Sequence, residues 1–524
     1  VIFRGRGENV RRFVFIFIPV MAAFIFFSFL SKTGFDEGNE VLLFFDTNME
    51  DLDVIKRSIT QKIEKWGTEV STNLFQVSKL DQYIMVHPEA LFITGTEIQS
   101  DLYCLKEYKY TDVKVAVTNR FSGQKGISKI LFDKILEQDP ADDRSLKKVV
   151  KEKVPYGVVS FQDLDLQVKP LAVNGIYPDL RSIKNNLYDG TYRAHIYTKS
   201  SLLLEQNPRL EFELCSWIEK SFTIIAGGDI MLCRGTRKYI DLFGSGYPFS
   251  EIRDEVRSHE IAIANLECPI SARGKKFYPD KGIYFRALPD VVEGLKYSGF
   301  NVFTLANNHI LDWGIDAVAD TMHYLREGGV YFSGVGFTKK EASKPVQFNL
   351  KGVQVGIICY NDIYPFSLVQ AGKTVETHRL DSATEEVIRN MKEDFDVLIA
   401  AVHTGAEYLP EPEKEKIRTM RTLVDAGVDV VLGTHPHIVQ RIEVYGGGLI
   451  VYSLGNLIFD QSWSSETSRG LLLEIVFVGK KPAYYYPRTV LIENACARFL
   501  TDEEAVPVLS SLNQKKGMVH YAKQ

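Results

Sequence analysis

Cysteine is scarce in this chain of 524 residues, with six in all, at positions 104, 215, 233, 268, 359 and 496. No two of them form a C-x-x-C pair, which excludes a zinc ribbon and a thioredoxin-like redox site. So thin a scatter also argues against a disulfide-framed fold. An excess of positive charge is absent too. Lys and Arg number 62 against 67 Asp and Glu, a net charge of −5, which leaves no electrostatic footprint for a nucleic-acid partner. The chain has no G-x-S-x-G nucleophile elbow, no G-x-x-x-x-G-K-[ST] phosphate loop and no H-E-x-x-H helix. It has no internal repeat and no low-complexity tract. What remains is ordinary globular composition, 45% hydrophobic and 25% charged, with a length that predicts about two to four domains.

The N-terminus carries one long apolar run. Residues 13–30, FVFIFIPVMAAFIFFSFL, are 18 uncharged residues preceded by Arg4, Arg6, Arg11 and Arg12. That length is at the short edge of a membrane span, and the arginines predict a cytoplasmic N-terminus with the bulk of the chain outside the membrane. The alternative is a cleaved signal peptide. Its apolar region is usually shorter, and no A-x-A-like site follows here. The reading is a cytoplasmic tip and transmembrane anchor over residues 1–33.

Residues 34–220 read as a smaller α/β domain. Strands are expected over 41–45, 113–117, 156–161, 168–173 and 192–197, and helices over 52–66 and 126–137. No metal spacing and no glycine-rich phosphate loop occurs there. Residues 221–524 alternate apolar strands with amphipathic helices, expected over 289–298, 314–327 and 412–426, which argues α/β. Gly328 and Gly427 sit where a left-handed residue closes two of these helices. Cys359 ends a strand candidate, and a buried strand is the simpler reading of it than a nucleophile.

In this second region five apolar runs stop at a polar, metal-competent residue. FTIIAGGD ends at Asp229, IAIANLE at Glu267, VFTLANNH at Asn308 and His309, VLIAAVH at His403, and VDVVLGTHPH at His435 and His437. Ligand sites of open α/β sheets gather beyond the carboxyl ends of the strands. Singly, each residue has a plain structural role: Asp229 a cap or turn, Glu267 a turn before Cys268 and Pro269, Asn308 a left-handed turn, His403 a core histidine. Five in series predict one convergent cluster. Imidazole with carboxylate and amide oxygen suits a divalent transition metal, Mn, Fe or Zn, and there are donors enough for one or two ions. His435 and His437, two apart, face the same side if the segment is extended. The other six histidines, His87, His195, His259, His323, His378 and His520, lack that setting and are read as surface or packing residues.

Six segments carry a resemblance. They are GGDIMLCRG (227–235), NLECPIS (265–271), LANNHILDWG (305–314), HTGAEYLPEP (403–412), GTHPHIVQ (433–440) and YSLGNLIFDQ (452–461). In that order they resemble the capsule-synthesis CapA family, the poly-γ-glutamate capsule type within the calcineurin-like metallophosphoesterase superfamily, over residues 222 to at least 509. The resemblance implies a four-layer α/β sandwich over 221–524. It implies that Asp229 and His437 bind a first metal, that Glu267 bridges, and that Asn308, His403 and His435 hold a second. It makes His309 the general acid, oriented by Asp312, and places Asn456 at the substrate pocket. The superfamily's first motif is usually Asp-x-His, whereas this chain has Asp229-Ile230-Met231, so the first metal loses a donor. The segments 113–123, 128–136, 154–161, 168–178 and 188–199 faintly resemble part of a phosphate-type periplasmic substrate-binding protein. A degenerate α/β spacer domain without a ligand is the preferred reading of them.

What the resemblance implies for function is a membrane-anchored, extracytoplasmic protein of capsule synthesis or export. Poly-γ-glutamate or a similar anionic polymer is the implied product. Partners would be the membrane, capsule synthase or export subunits, and an anionic polymer or phosphoester substrate. The site would hydrolyse a phosphoester with a metal-activated hydroxide. The competing readings are a non-catalytic, metal-containing assembly or polymer-binding factor, and an N-terminal region that senses a small anion such as phosphate.

Overall fold

The computed structural model describes residues 217–277, 281–370 and 372–512. Before them it describes shorter segments, chiefly 40–49, 51–64, 69–77, 91–95, 106–119, 157–160, 168–174, 178–185 and 191–198. The anchor expected over residues 1–33 lies outside the described residues. Among the described residues no helix is long and apolar enough to cross a membrane. The chain divides into two compact units, one of residues 1–112 and 192–216, the other of 113–191 and 217–524.

In the first unit the strand Glu40–Asp46 lies parallel between Glu69–Phe75 and Leu91–Thr94. Leu91–Thr94 in turn pairs antiparallel with Thr191–Thr198. The helix Leu52–Glu64 buries Ile55, Ile59 and Ile63, a spacing of four that places them on one face. In the second unit, residues 114–119 pair antiparallel with Gly157–Ser160 and Val168–Pro170. Gly126–Ile127 is a strand paired with Ala172–Val173, not the start of the helix expected over 126–137. Pairing decides the local structure there, and only residues 129 and 131–133 are described as helical beyond it.

Residues 217–512 hold two large sheets. The first runs in the order Tyr331–Ser333, Val302–Thr304, Ile261–Leu266, Ser221–Ile230, Arg469–Val478, Lys481–Glu493, Cys496–Phe499, with Asn456–Ile458 also pairing Ser221–Ile230. The second runs Val346–Leu350, Val353–Asn361, Val397–His403, Val430–Thr434, Gly448–Val451, Ile442–Tyr445. Alternate side chains of each sheet enter different cores. Ile224, Ile263 and Leu473 of the first sheet pack with Ile357, Ile399 and Val451 of the second in one shared core. The opposite face of the first sheet, with Ile225 and Ala264, meets helix residues Leu295, Val318 and Met322. The opposite face of the second, with Ile358 and Ala400, meets Ile388, Met420 and Leu423. Helices thus cover the two outer faces and an apolar layer joins the inner ones.

The expected helices appear as Val291–Ser298, Gly314–Glu327 and Lys414–Asp425. One cap moves. Gly328 keeps φ −71°, and its neighbour Gly329 takes the left-handed turn at φ +69°. Gly427 does close its helix at φ +119°. Cys359 is fully buried in the strand Val353–Asn361, and burial pushes its thiol up to about 12, which suits packing and not nucleophilic attack.

Candidate metal centre

The parallel strands of the two sheets deliver their terminal residues to one place. Ser221–Ile230 brings Asp229, Ile261–Leu266 brings Glu267, the turn after Val302–Thr304 brings Asn308 and His309, Val397–His403 brings His403, and the bend after Val430–Thr434 brings His435 and His437. Glycine permits the close approach that this requires. A Cβ on Gly228 would stand 1.8 Å from the Gly455 carbonyl oxygen, and one on Gly433 would stand 2.0 Å from that of Tyr452.

Glu267 lies at the centre. Its Oε1 is 3.8 Å from His437 Nε2, 3.9 Å from His403 Nε2 and 3.9 Å from His309 Nε2. These separations are too long for hydrogen bonds. Both Glu267 oxygens are buried without a hydrogen-bond partner. Burial and the neighbouring Asp229 push this carboxyl well above the usual carboxylate range. Two triads of donors, Glu267 with His435 and His437, and Glu267 with Asp229 and His403, bring their ligand atoms within 4.8 Å of one another. Both triads share Glu267. An orphaned buried carboxylate ringed by imidazole nitrogens is costly alone and fits a cation.

The surrounding hydrogen bonds aim the rings. Asn456 donates through Nδ2 to Gln461 Oε1 at 3.0 Å and to the Thr467 carbonyl at 2.9 Å, so its Oδ1 is the acceptor 3.0 Å from His437 Nδ1. His437 therefore carries its proton on Nδ1 and turns a bare Nε2 toward Glu267. Asn456 is fully buried, and its side chain contacts His437, Gln461 and Thr467. His403 Nε2 stands 3.0 Å from Asn308 Oδ1. Asp229 accepts from Asn265 Nδ2 at 2.8 Å and from the His435 backbone N–H at 3.3 Å. His435 has φ +95° and His437 φ +60°, so the segment is a strained left-handed bend, not the extended stretch expected. Burial, then the neighbouring imidazoles, hold His403 and His435 well below the ordinary histidine range.

His309 sits on the far side of Glu267. Its Nδ1 lies 2.8 Å from Asp312 Oδ2, and its ring stacks on Phe285 at 3.9 Å between centroids. Asp312 also accepts from the Phe285 backbone N–H at 2.8 Å and pairs with Lys281 Nζ at 2.5 Å. Burial pulls His309 down to about 4, against the upward pull of Asp312. Met231, where a histidine is usual in the superfamily, is fully buried, and its sulfur is engaged by the Cys233 N–H at 3.3 Å and by the Cys233 thiol at 3.0 Å.

Sequence reasoning missed the residues that hold the set together. Asn265 contacts Asp229 and Asn307, and its Nδ2 lies 3.3 Å from His403 Nδ1. Asn307 Oδ1 accepts the backbone N–H groups of His309 and Ile310. Lys281 donates to the Asn308 carbonyl at 2.6 Å. Asn265 and Asn307 stand inside the quoted motifs beside Glu267 and Asn308, which was the available signal. Lys281 stands in no motif.

Lys416 is a further buried cation, donating to the carbonyl of Thr404, next to His403, at 2.8 Å. Burial draws it down to about 7, with Glu413 opposing. The unfolded chain holds that proton up to pH about 10.4, so between about 7 and 10 the unfolded state binds more protons and stability rises with pH. Replacing Lys416 by Met is expected to remove that rise. Between pH 7 and 9 the wild type should gain up to about 2–3 kcal/mol over the variant in urea unfolding.

The chain has similar proteins among those already known. The family described as bacterial capsule synthesis protein PGA_cap matches residues 223–461, a span that contains all six motifs and ends with the sixth. The chain is 30% identical over 263 residues to the capsule biosynthesis protein CapA of Bacillus anthracis, covering 48% of this chain and 63% of that one. It is 28% identical over 247 residues to the PGA biosynthesis protein CapA of Bacillus subtilis, covering 47% and 65%. A probable polyglutamine synthesis accessory protein of Mycobacterium tuberculosis is 25% identical over 286 residues, covering 45% and 74%. The chain thus spans less than two thirds of the length of the two Bacillus relatives. Among solved structures, a putative phosphate ABC transporter substrate-binding protein from Clostridium perfringens matches over 33% of this chain and 91% of its own at 12% identity and a TM-score of 0.18. Over residues 223–461 the chain is thus similar to the bacterial capsule synthesis protein family PGA_cap.

Proposed function

We propose that this protein is a membrane-anchored, extracytoplasmic metallophosphoesterase of capsule synthesis or export, acting on a phosphoester linked to poly-γ-glutamate or a similar anionic polymer. The helix-covered pair of sheets is read as the four-layer metallophosphoesterase sandwich. The observation that supports the reading most is Glu267, a buried carboxylate without a hydrogen-bond partner and with three imidazole Nε2 atoms 3.8–3.9 Å from one of its oxygens. Asp229, Glu267, Asn308, His403, His435 and His437 would hold one or two divalent ions, with Glu267 common to both. Bound there, such ions supply Lewis acidity at phosphorus and lower the pKa of water. The residues do the rest. Asn456 keeps the His437 tautomer fixed, Asn265 orients Asp229, and Asp312 with Lys281 holds His309 for proton delivery to the departing oxygen. The anchor over residues 13–30 would tether the site to the outer membrane surface beside synthase or export subunits.

A second reading follows from Met231. With its sulfur turned to Cys233, that position offers no donor, and a single-ion site would bind polymer carboxylates without turnover. One experiment separates the two. The full chain is stripped with EDTA, reloaded with Mn²⁺ or Zn²⁺, and assayed on p-nitrophenyl and bis(p-nitrophenyl) phosphate. Metal-restored hydrolysis that His435→Ala abolishes is the expected result. A metal-loaded protein that turns over neither ester removes the hydrolase reading and leaves the assembly role.

A further inference from the structure

A second cluster of metal-competent groups lies outside this centre. Glu255 stands in the short helix Arg253–Arg257, His259 follows it in the next turn, and Glu474 comes from the strand Arg469–Val478. The sequence marks His259 only as a packing or surface residue. Its side chain is 3% exposed, and those of Glu474 and Glu255 are 4% and 17% exposed. His259 Nδ1 lies 2.8 Å from the Glu255 backbone carbonyl. A carbonyl can only accept, so Nδ1 carries the proton, and in the neutral ring Nε2 presents a lone pair. That lone pair faces two carboxylate oxygens, Glu255 Oε1 at 4.0 Å and Glu474 Oε1 at 4.0 Å.

The distances select among explanations. At 4.0 Å neither carboxylate hydrogen-bonds the ring. A lone pair facing two carboxylates calls for a cation between them, a proton or a metal ion. All three ligand atoms lie within 4.8 Å of one another. An ion equidistant from such a triangle would sit roughly 2.3–2.5 Å from each atom, which a small rotation of either glutamate shortens to a zinc–ligand distance. The tautomer-fixing bond from the second ring nitrogen to a carbonyl is the usual support of a metal-binding histidine. Arg488 supports the set too. Its Nη1 holds Glu255 Oε2 at 2.8 Å, which leaves Oε1 directed at His259. A cavity of about 250 Å³, lined also by Asp179, Lys184 and Thr223, adjoins the three residues and leaves room for a fourth ligand.

We propose that Glu255, His259 and Glu474 form a second, independent binding site for a divalent transition-metal ion with one imidazole and two carboxylate ligands. The test counts zinc per full-length chain by elemental analysis after equilibrium dialysis. Glu267→Gln silences the centre described above, so it supplies the background. In that background one zinc per chain is expected, falling to none with His259→Ala and binding at least ten-fold more weakly with Glu474→Gln. The glutamine keeps the shape of glutamate, so it answers for a His259→Ala protein that fails to fold. His259→Ala alone should leave phosphoester hydrolysis unchanged. A Glu267→Gln protein without zinc, or one whose zinc survives both second-site changes, overturns the proposal. The two readings fail separately: loss of all zinc on Glu267→Gln sinks this site alone, and zinc that responds only to His259→Ala sinks the catalytic centre alone.

Discussion

Under the proposed metal-dependent hydrolysis, replacing Glu267 by Gln is expected to empty the main centre and to lower phosphoester turnover by about 10³-fold or more, the scale of the several kcal/mol that metal ions contribute to such reactions. The size follows from position. Glu267 belongs to both donor triads, so one substitution removes a ligand from each. The amide keeps the volume, and the loss is one of charge. Stability should move the other way when metal is withheld. Burial and Asp229 raise the Glu267 carboxyl well above its unfolded value. The folded state therefore holds a proton that the unfolded state releases, and the metal-free wild type loses stability as pH rises from the unfolded carboxylate pKa toward the folded one. The amide does not titrate, so the metal-free variant should keep that stability. Adding metal reverses the order. Saturation at a hundred times Kd stabilises the wild type by about 2.7 kcal/mol and leaves the variant unmoved at this centre. Thermal melts at pH 6 and 8, with EDTA and with Mn²⁺, read all four states. A variant that keeps its full metal complement would show that Glu267 is a packed acid and not a ligand.

Much of this centre was legible because strands are legible. Each apolar run ended close to a donor, and the parallel strands of the two sheets carried the five ends to one place. The class of the fold followed from the same alternation of strand and helix. What was not legible depended on contacts between distant parts of the chain. Lys281 lies 31 positions before Asp312, in a stretch without periodicity, and only folding brings its ammonium to that carboxylate. The His435–His437 segment looked extended because a spacing of two suggests a strand. The left-handed bend there is held from outside, by Asp229 accepting the His435 N–H. The doubled glycine at 328 and 329 left two residues able to take one left-handed turn, and the second took it. The tautomer of His437 depends on Asn456, nineteen residues on and in another strand. His259 was passed over since no strand end marks it, and Glu474 reaches it from 215 residues away.

Under the proposed hydrolysis, with His309 as its general acid, His309→Ala should separate substrates by their leaving groups. A general acid matters when the departing oxygen is a poor leaving group and little when it is a good one. Alkyl phosphoesters should lose about 10²- to 10⁴-fold in kcat/KM, and p-nitrophenyl phosphate less than about 10-fold. In the proposed mechanism the proton path would follow the hydrogen bonds of the ring. Asp312 Oδ2 accepts from Nδ1, so the catalytic proton belongs to Nε2, which faces Glu267 at 3.9 Å. Without substrate the pocket disfavours that proton, since burial holds the imidazole down near 4. A bound phosphoester would bring negative charge toward the ring, and an opposite charge nearby favours the protonated form. Asp312→Asn should reproduce the leaving-group pattern at smaller size, because an amide still packs against Lys281 and the Phe285 N–H but no longer stabilises the imidazolium. The alkyl-ester rate of the wild type should fall as pH rises through the substrate-bound pKa of His309, and the p-nitrophenyl rate should not. An equal loss on both esters in His309→Ala would assign the ring to metal or phosphate binding and take the general-acid role from it.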